Sequence, residues 1–299
     1  MQYVAEQALN ALSIGAEYSL LALGLAIVFS VMGLVNFAHG EFLGVGGYIM
    51  YAMALFGAGD IWMILPVCLL TVVITAVLLE RVAFRPVRQA PATTGLLTAF
   101  GVAIILQNVF LMGVSPRPKA VPAIAVLNTT VDIGSFTFTI LQFLEAGVTA
   151  IAIVLLVIFM RRTKLGLAMR AAAHDFTTVR LMGVRANRVI ATAFAISGFL
   201  AGLAAIFFIA RRGAIDPFMG LLPVLKAFVA CVLGGFGSLP GAVVGGLVLG
   251  ILEVVLIILL PDFLAGLRDA AVFFIIGAIL VGRPQGILGK KAELGDKTA

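Results

Sequence analysis

Charged side chains make up only 11% of this 299-residue chain, less than half the roughly 25% of ordinary soluble domains. So few charges cannot coat a water-facing surface, which excludes a conventional soluble enzyme. Cysteine is nearly absent: Cys68 and Cys231 both lie inside apolar runs, where a thiol acts as a small hydrophobe, so a disulfide framework is excluded. The two histidines, His39 and His174, fall in distant parts of the chain. There is no HExxH, no GxSxG elbow, no carboxylate pair beside a nucleophile and no GxxxxGK[ST] loop, so no catalytic site, metal site or ATP-hydrolysing site is expected in the chain. The opening residues MQYVAEQALNAL carry no basic region before a short apolar core, so the first segment is expected to be retained.

What is abundant is apolar: 62% of residues fall in AVILMFWYC, with 33 glycines besides, and the mean hydropathy is +1.18. The apolar residues come in long unbroken runs, which predicts an all-α integral membrane protein and not a β-barrel. The runs are 18 to 35, 42 to 57, 61 to 79, 92 to 113, 143 to 160, 189 to 210, 221 to 235, 242 to 260 and 267 to 282. They predict a polytopic bundle of eight or nine transmembrane helices, some broken, forming one transmembrane domain over 1–299, with residues 1–17 as an amphipathic lead-in. The net charge of +6 reads as topology, not as nucleic-acid binding. Three arginines (81, 85, 88), seven basic residues between 161 and 188, and Arg283, Lys290, Lys291 and Lys297 share one side. The positive-inside rule makes that side, with the loop 161–188 and the C-terminus, cytoplasmic. With nine segments the N-terminus is outside. The external loop 114–142 carries prolines and then an alternating FTFTI stretch, which predicts a turn and a short hairpin.

Polar residues inside apolar sequence point to function. Asn36, His39 and Glu41 lie with Phe37 in VNFAHGEFLGVGGY, and an ionised carboxylate facing lipid costs about 2.5 to 3.5 kcal/mol. With Gly40, Gly44, Gly46 and Gly47 allowing close backbone approach, the segment is either a broken helix lining a solute path or a turn at the membrane surface. A second break holds Gly234, Gly235, Gly237, Pro240 and Gly241, which cannot form a continuous helix. One such break in each half is the pattern of two repeats framing a midplane site, although NFAHGEFLGVGG and GGFGSLPGAVVGG are only weakly alike. Glu253 and Glu17 are each either path residues or interhelical hydrogen bonders. In RRTKLGLAMRAAAHDFTTVRLMGVRANR, Met169, Ala172, Phe176 and Val179 share one helical face and Arg170, His174, Thr177 and Thr178 another. That predicts one amphipathic helix of about three turns ending near Gly183, which either docks a cytoplasmic partner or lies on the bilayer.

Beyond these features, the runs VFSVMGLVNFAHGEFLGVGGY, ERVAFRPVR, TAFGVAIILQN, GLAMRAAAHDFTTVRLMGV, AFAISGFLAGLAA, KAFVACVLGGFGSLPGAVVGGLVLGILE and RPQGILG resemble the LivH-type permeases of the branched-chain amino-acid ATP-binding-cassette importers, in order and over nearly the whole chain. The resemblance implies a multi-pass subunit of a bacterial inner membrane, importing leucine, isoleucine and valine. Its implied partners are a homologous second permease subunit, two cytoplasmic ATPase subunits that bind ATP and magnesium, and a periplasmic solute-binding protein. It assigns Gly166, Arg170, Ala171, Ala172, Asp175, Leu181 and Gly183 to ATPase coupling. The substrate path falls to Asn36, Phe37, His39, Gly40, Glu41, Gly44, Gly234, Gly235, Gly237, Pro240 and Glu253. Residues 184–192 read VRANRVIAT, without the Leu-Pro pair that continues the coupling motif in other such permeases. Permeases for urea, short amides or other amino acids are the nearest alternative. An ion-coupled secondary carrier is the alternative of a different class, because carriers also use broken helices and buried carboxylates.

Overall fold

The computed structural model describes residues 2–57, 60–133 and 136–288; Lys290, Lys291 and Lys297, counted above for orientation, and Gly289 of the terminal motif lie outside the described residues. The chain opens with α1 (Gln2–Met32), a 3-10 turn over Phe37–Gly40, and α2 (Glu41–Leu55). Helix α3 (Ile61–Leu79) passes through a π turn at Glu80–Phe84 into the short α4 (Arg85–Val87), and α5 (Ala92–Gly113) follows. After an irregular segment come α6 (Ile140–Arg162), α7 (Lys164–His174), α8 (Phe176–Leu181) and α9 (Ala186–Arg212). The last elements are α10 (Leu221–Gly234), α11 (Leu239–Leu259) and α12 (Arg268–Gly282). Among the described residues seven helices are long and apolar enough to cross a membrane. Helices α2 and α10 are shorter, 15 and 14 residues, or about 22 and 21 Å at 1.5 Å per residue. The expected amphipathic lead-in is not a separate element: residues from Gln2 onward belong to α1 without a break, since residues 2–17 hold no proline and a single glycine, Gly15, which one helix tolerates.

Helices α1 and α9 are buried round most of their circumference, while α3, α5, α6 and α12 turn broad apolar faces outward. Two central helices ringed by others is what a bundle in lipid requires, because lipid-facing surface must stay apolar. The central pair runs antiparallel, since Arg211 near the end of α9 reaches Ser13 and Glu17 of α1 while Ser197 lies beside Gly24. Small residues let the α1 backbone approach its neighbours: Gly15 lies against Leu247 and Gly24 against the His39 ring.

A second pattern sits on this core. The succession α1, break, α2, α3, α5 is repeated with opposite direction as α9, break, α10, α11, α12, with α3 packed on α9 and α11 on α1. The two short helices start back to back, Gly40 against Gly220, and run apart: Gly47 of α2 lies against Ile209 and Ile215, whereas Cys231 of α10 bonds to the Ala22 carbonyl. Their combined length, about 43 Å, matches a full bilayer, so each is a half-span completed by an extended stretch. The duplication expected from sequence pairs 36–47 with the glycine-rich 234–241; the structure pairs it instead with 213–220.

The other expectations for the irregular parts divide. The hairpin is present: β2 (Thr130–Ile133) pairs antiparallel with β3 (Phe136–Thr139). The strand β1 (Lys119–Ala120) pairs with β4 (Ala214–Ile215), tying the 114–142 segment to the one after α9. The single three-turn helix expected before Gly183 is two helices, α7 and α8, interrupted at Asp175, whose backbone is extended at φ −149°, ψ 99°. Aspartate favours such a position because its side chain competes for local backbone groups.

Both cysteines are buried, the Cys68 thiol facing the Gly46 carbonyl at 3.6 Å and the Cys231 thiol the Ala22 carbonyl at 3.1 Å. A maleimide is expected to leave both unlabelled in the folded protein and to label both after denaturation; rapid labelling of either in the native protein would contradict this helix packing.

Candidate functional site

The first break is built by local rules. Gly33 ends α1 with a left-handed backbone, φ +69°. The Asn36 side chain then accepts from the Ala38 N–H at 3.1 Å, capping the 3-10 turn. That turn buries His39 completely, with Nδ1 3.0 Å from the Ser197 hydroxyl and the ring edge-on to Phe42. Ser197 stands 11 residues into the 27-residue α9, so the break lies well inside the bundle and is not a surface turn. Glu41, 2% exposed, is the first residue of α2, where the helix dipole favours a carboxylate. Its Oε1 accepts from the Gln107 amide at 2.7 Å, and its Oε2 is buried with no hydrogen-bond partner. Gly44 fits under Phe110, whose ring stacks on Tyr48 at 4.3 Å.

At the centre the backbones of Gly40 and Gly220 touch. A methyl group on either glycine would run into the other's carbonyl oxygen. Two helix N-termini are thereby aimed at one place inside the bundle, the arrangement in which exposed N–H groups meet polar solutes in transporters.

The second group of expected path residues is elsewhere. Gly234, Gly235, Gly237 and Pro240 form the tight turn between α10 and α11, with φ +111° at Gly235 and +85° at Gly237. The Ser238 hydroxyl accepts from the Gly241 N–H at 3.1 Å, and Pro240 sits in the first turn of α11, where its missing N–H is no loss. The terminal segment closes over this turn, with Ile287 N–H on the Leu233 carbonyl at 2.7 Å and Leu288 N–H on the Gly234 carbonyl at 3.0 Å. Aromatic rings connect the two regions. Phe37 stacks on Phe100 and meets Phe228, which meets Phe236, which meets Phe29, at centroid distances of 4.9, 5.5, 5.7 and 4.0 Å.

Glu253 belongs to neither group. Its carboxylate accepts from the Tyr18 hydroxyl at 2.6 Å and from Lys226 Nζ at 3.1 Å, and Lys226 also reaches Asp269 at 2.9 Å. A second buried cluster joins Arg211 to Glu145 and Ser13, with Glu17 beside it at 3.6 Å. Sequence reasoning missed Gly220, Ser197, Gln107, Arg211, Lys226 and Glu145 as site residues. Glu145 and Lys226 could have been found as lone charges within apolar runs.

The α7–α8 unit is fixed to the bundle by its apolar face. The Thr163 hydroxyl caps α7 by accepting from the Gly166 N–H at 2.9 Å, and Gly166 packs so closely on the end of α6 that a methyl group would strike the Phe159 carbonyl. Met169, Ala172 and Val179 are buried, Arg170 lines a cavity beside Pro240, and Ala171 is exposed. Gly183 ends α8 at φ +80°, its N–H on the Arg180 carbonyl and that of Val184 on the Val179 carbonyl. The opposite face presents Leu181 and Met182, 83% and 79% exposed, at the end rich in arginine. The same end is braced by Glu80, fully buried, which holds Arg85 at 3.1 Å and Arg88 at 2.7 Å; Arg88 extends to Asn187.

Residues 7–282 match the family described as Branched-chain amino acid transport system / permease component. The chain is 33% identical over 296 residues to the High-affinity branched-chain amino acid transport system permease protein BraD of Pseudomonas aeruginosa, covering 95% of each chain. It is 34% identical over 302 residues to the High-affinity branched-chain amino acid transport system permease protein LivH of Escherichia coli K12, covering 96% of each.

Proposed function

The chain belongs to the branched-chain amino acid transport system permease family, and from that premise we propose that it is the membrane-spanning subunit of an importer for leucine, isoleucine and valine, powered by separate ATPase subunits. It is a multi-pass membrane protein of the transport, not the ATP-hydrolysing, kind. The arginine-rich end, with the C-terminus, faces the cytoplasm; the end with β1, β4 and the β2–β3 hairpin faces a periplasmic solute-binding protein. A homologous second permease completes the membrane part, and ATP and magnesium belong to the two ATPases.

The observation that carries this reading is the α7–α8 unit. Leucine and methionine side chains standing free beside a basic surface lose contact with water only when a partner covers them. The buried face of the unit transmits any displacement of that partner to α1, α6 and α9, which it contacts. Closure of the ATPase pair on ATP would move this unit and rock the two permeases about the α2–α10 junction, opening the path at alternate ends. The driving energy is the difference in the partners' affinity for the two states. Asn36, Phe37, His39, Gly40, Glu41 and Gly44 line the centre of the path, and the 234–240 turn and Glu253 lie further along it or beside it.

Replacing Asp175 and Gly183 by alanine in the reconstituted importer is expected to abolish uptake and substrate-stimulated ATPase activity while the chain remains in the membrane. At Gly183 the left-handed backbone adds about 1–2 kcal/mol of strain. Normal ATPase stimulation in that variant overturns the coupling assignment. Uphill uptake by this chain alone under an ion gradient overturns the importer reading in favour of a secondary carrier. Uptake of urea but not leucine with the cognate binding protein overturns the substrate.

A further inference from the structure

At the end opposite the arginine-rich loops, a cavity of about 510 Å³ opens between α1, the end of α9, α10 and α11, within the size range of small-ligand sites. Six charged residues stand in its wall, and five of them are accounted for by their neighbours. Glu253 accepts from Tyr18 and Lys226; Arg212 is paired with Asp216 at 2.6 Å; Arg211 is held by Glu145 and Ser13. Glu17 is the exception. It is 4% exposed and forms an ion pair with Arg211 Nε at 3.6 Å, too long for a hydrogen bond, and that Nε is itself buried without a hydrogen-bond partner. A buried carboxylate lacking a donor is costly and needs an explanation. The remaining wall is apolar, with Phe208, Met219 and Leu222, and Met219 and Leu222 flank Gly220, so the cavity adjoins the α2–α10 junction.

We propose that this cavity is an entry site for a small zwitterion with an apolar side chain, its ammonium group bound by Glu17, its carboxylate on the side of Arg212, and its side chain against Phe208, Met219 and Leu222. The inference rests on the reading of the chain as an amino-acid importer permease and deepens it: the solute is received within this one chain before it reaches the junction. An ammonium supplies the N–H donors Glu17 lacks, and the mixed charge of the wall rejects solutes carrying only one of the two groups.

The test uses the assembled permease–ATPase complex in nanodiscs, without the binding protein, and tritiated L-leucine as probe. Leucine binds the wild type; leucinamide and isovalerate, each lacking one charge, compete at least tenfold less well. Glu17→Gln lowers leucine and leucinamide affinity at least tenfold and leaves isovalerate unchanged, a pattern that general loss of structure does not produce. Leu222→Trp, which narrows the half-exposed mouth without touching an ion pair, also lowers leucine affinity at least tenfold with an unchanged melting temperature. Absence of leucine binding to the wild-type complex, or unchanged binding in both variants, overturns the proposal. ATP-driven leucine uptake measured in parallel with the cognate binding protein separates the two levels. Uptake without binding by the complex defeats the entry site alone, whereas failure to take up leucine defeats the importer reading beneath it.

Discussion

Alanine at Gly220, or at Gly40, is expected to eliminate folded protein or to lower its melting temperature steeply. The added Cβ at Gly40 would meet the Gly220 carbonyl oxygen and stand 2.8 Å from Val224 Cβ; the Cβ at Gly220 would meet the Gly40 carbonyl. Side chains relieve overpacking by changing rotamer, at about 1–3 kcal/mol. Here the obstacles are backbone atoms at two helix starts, so relief means prising α2 and α10 apart, and the cost exceeds that range. Gly101→Ala and Gly147→Ala serve as controls, since nothing lies within 4 Å of a methyl group at either position; alanine there is neutral or gains up to about 1 kcal/mol in helix propensity. Gel filtration and thermal melting in detergent check the comparison. A wild-type melting temperature for Gly220→Ala would mean that the two half-helices do not start in contact.

The helices were legible because lipid leaves few options: every backbone polar group must be satisfied within its own segment, so long apolar runs become helices at nearly the expected bounds. The Asn36–Glu41 break was legible for the complementary reason, polar residues where lipid forbids them. Its depth was not, because capping chemistry reads alike at a surface and in a core; burial of His39 against Ser197 depends on α9, more than 150 residues away. The counterpart of the break was misread because glycine density is a poor signal for a half-helix start. One close approach needs one glycine, Gly220, whereas the turn at 235–238 needs several to reach positive φ. The α7–α8 break was hidden because the buried face of Met169, Ala172 and Val179 keeps helical spacing through Asp175. The charged clusters were half legible: Glu17 and Glu253 stand out, but nothing local says that Lys226 joins the second and Arg211 the first.

The Lys226 cluster yields the other large effect. Its side chain is 9% exposed, and its ammonium group donates to the Tyr18 hydroxyl at 3.2 Å and to Glu253 at 3.1 Å and forms an ion pair with Asp269 at 2.9 Å. Lys226→Met leaves two carboxylates facing one another without a cation, and removing one partner of a buried pair costs about 3–5 kcal/mol. The double variant Lys226→Met, Glu253→Gln removes the more buried of the two orphaned charges, so it is expected to recover part of that loss, with a coupling of about 0.5–3 kcal/mol. Lys226→Arg keeps the charge but not the compact trigonal donor set, and is expected to recover less than the wild-type stability. Melting of the wild type, Lys226→Met, Glu253→Gln and the double variant in one detergent measures the cycle, with Lys226→Arg alongside. The acceptors come from α1, α11 and α12 while Lys226 is on α10, so the cluster anchors the half-helix whose start abuts Gly40. Stability and uptake should therefore fall together in Lys226→Met. If the variant melts as the wild type does, the charges do not hold α10 in place, and the position of Gly220 must depend on the glycine contacts alone.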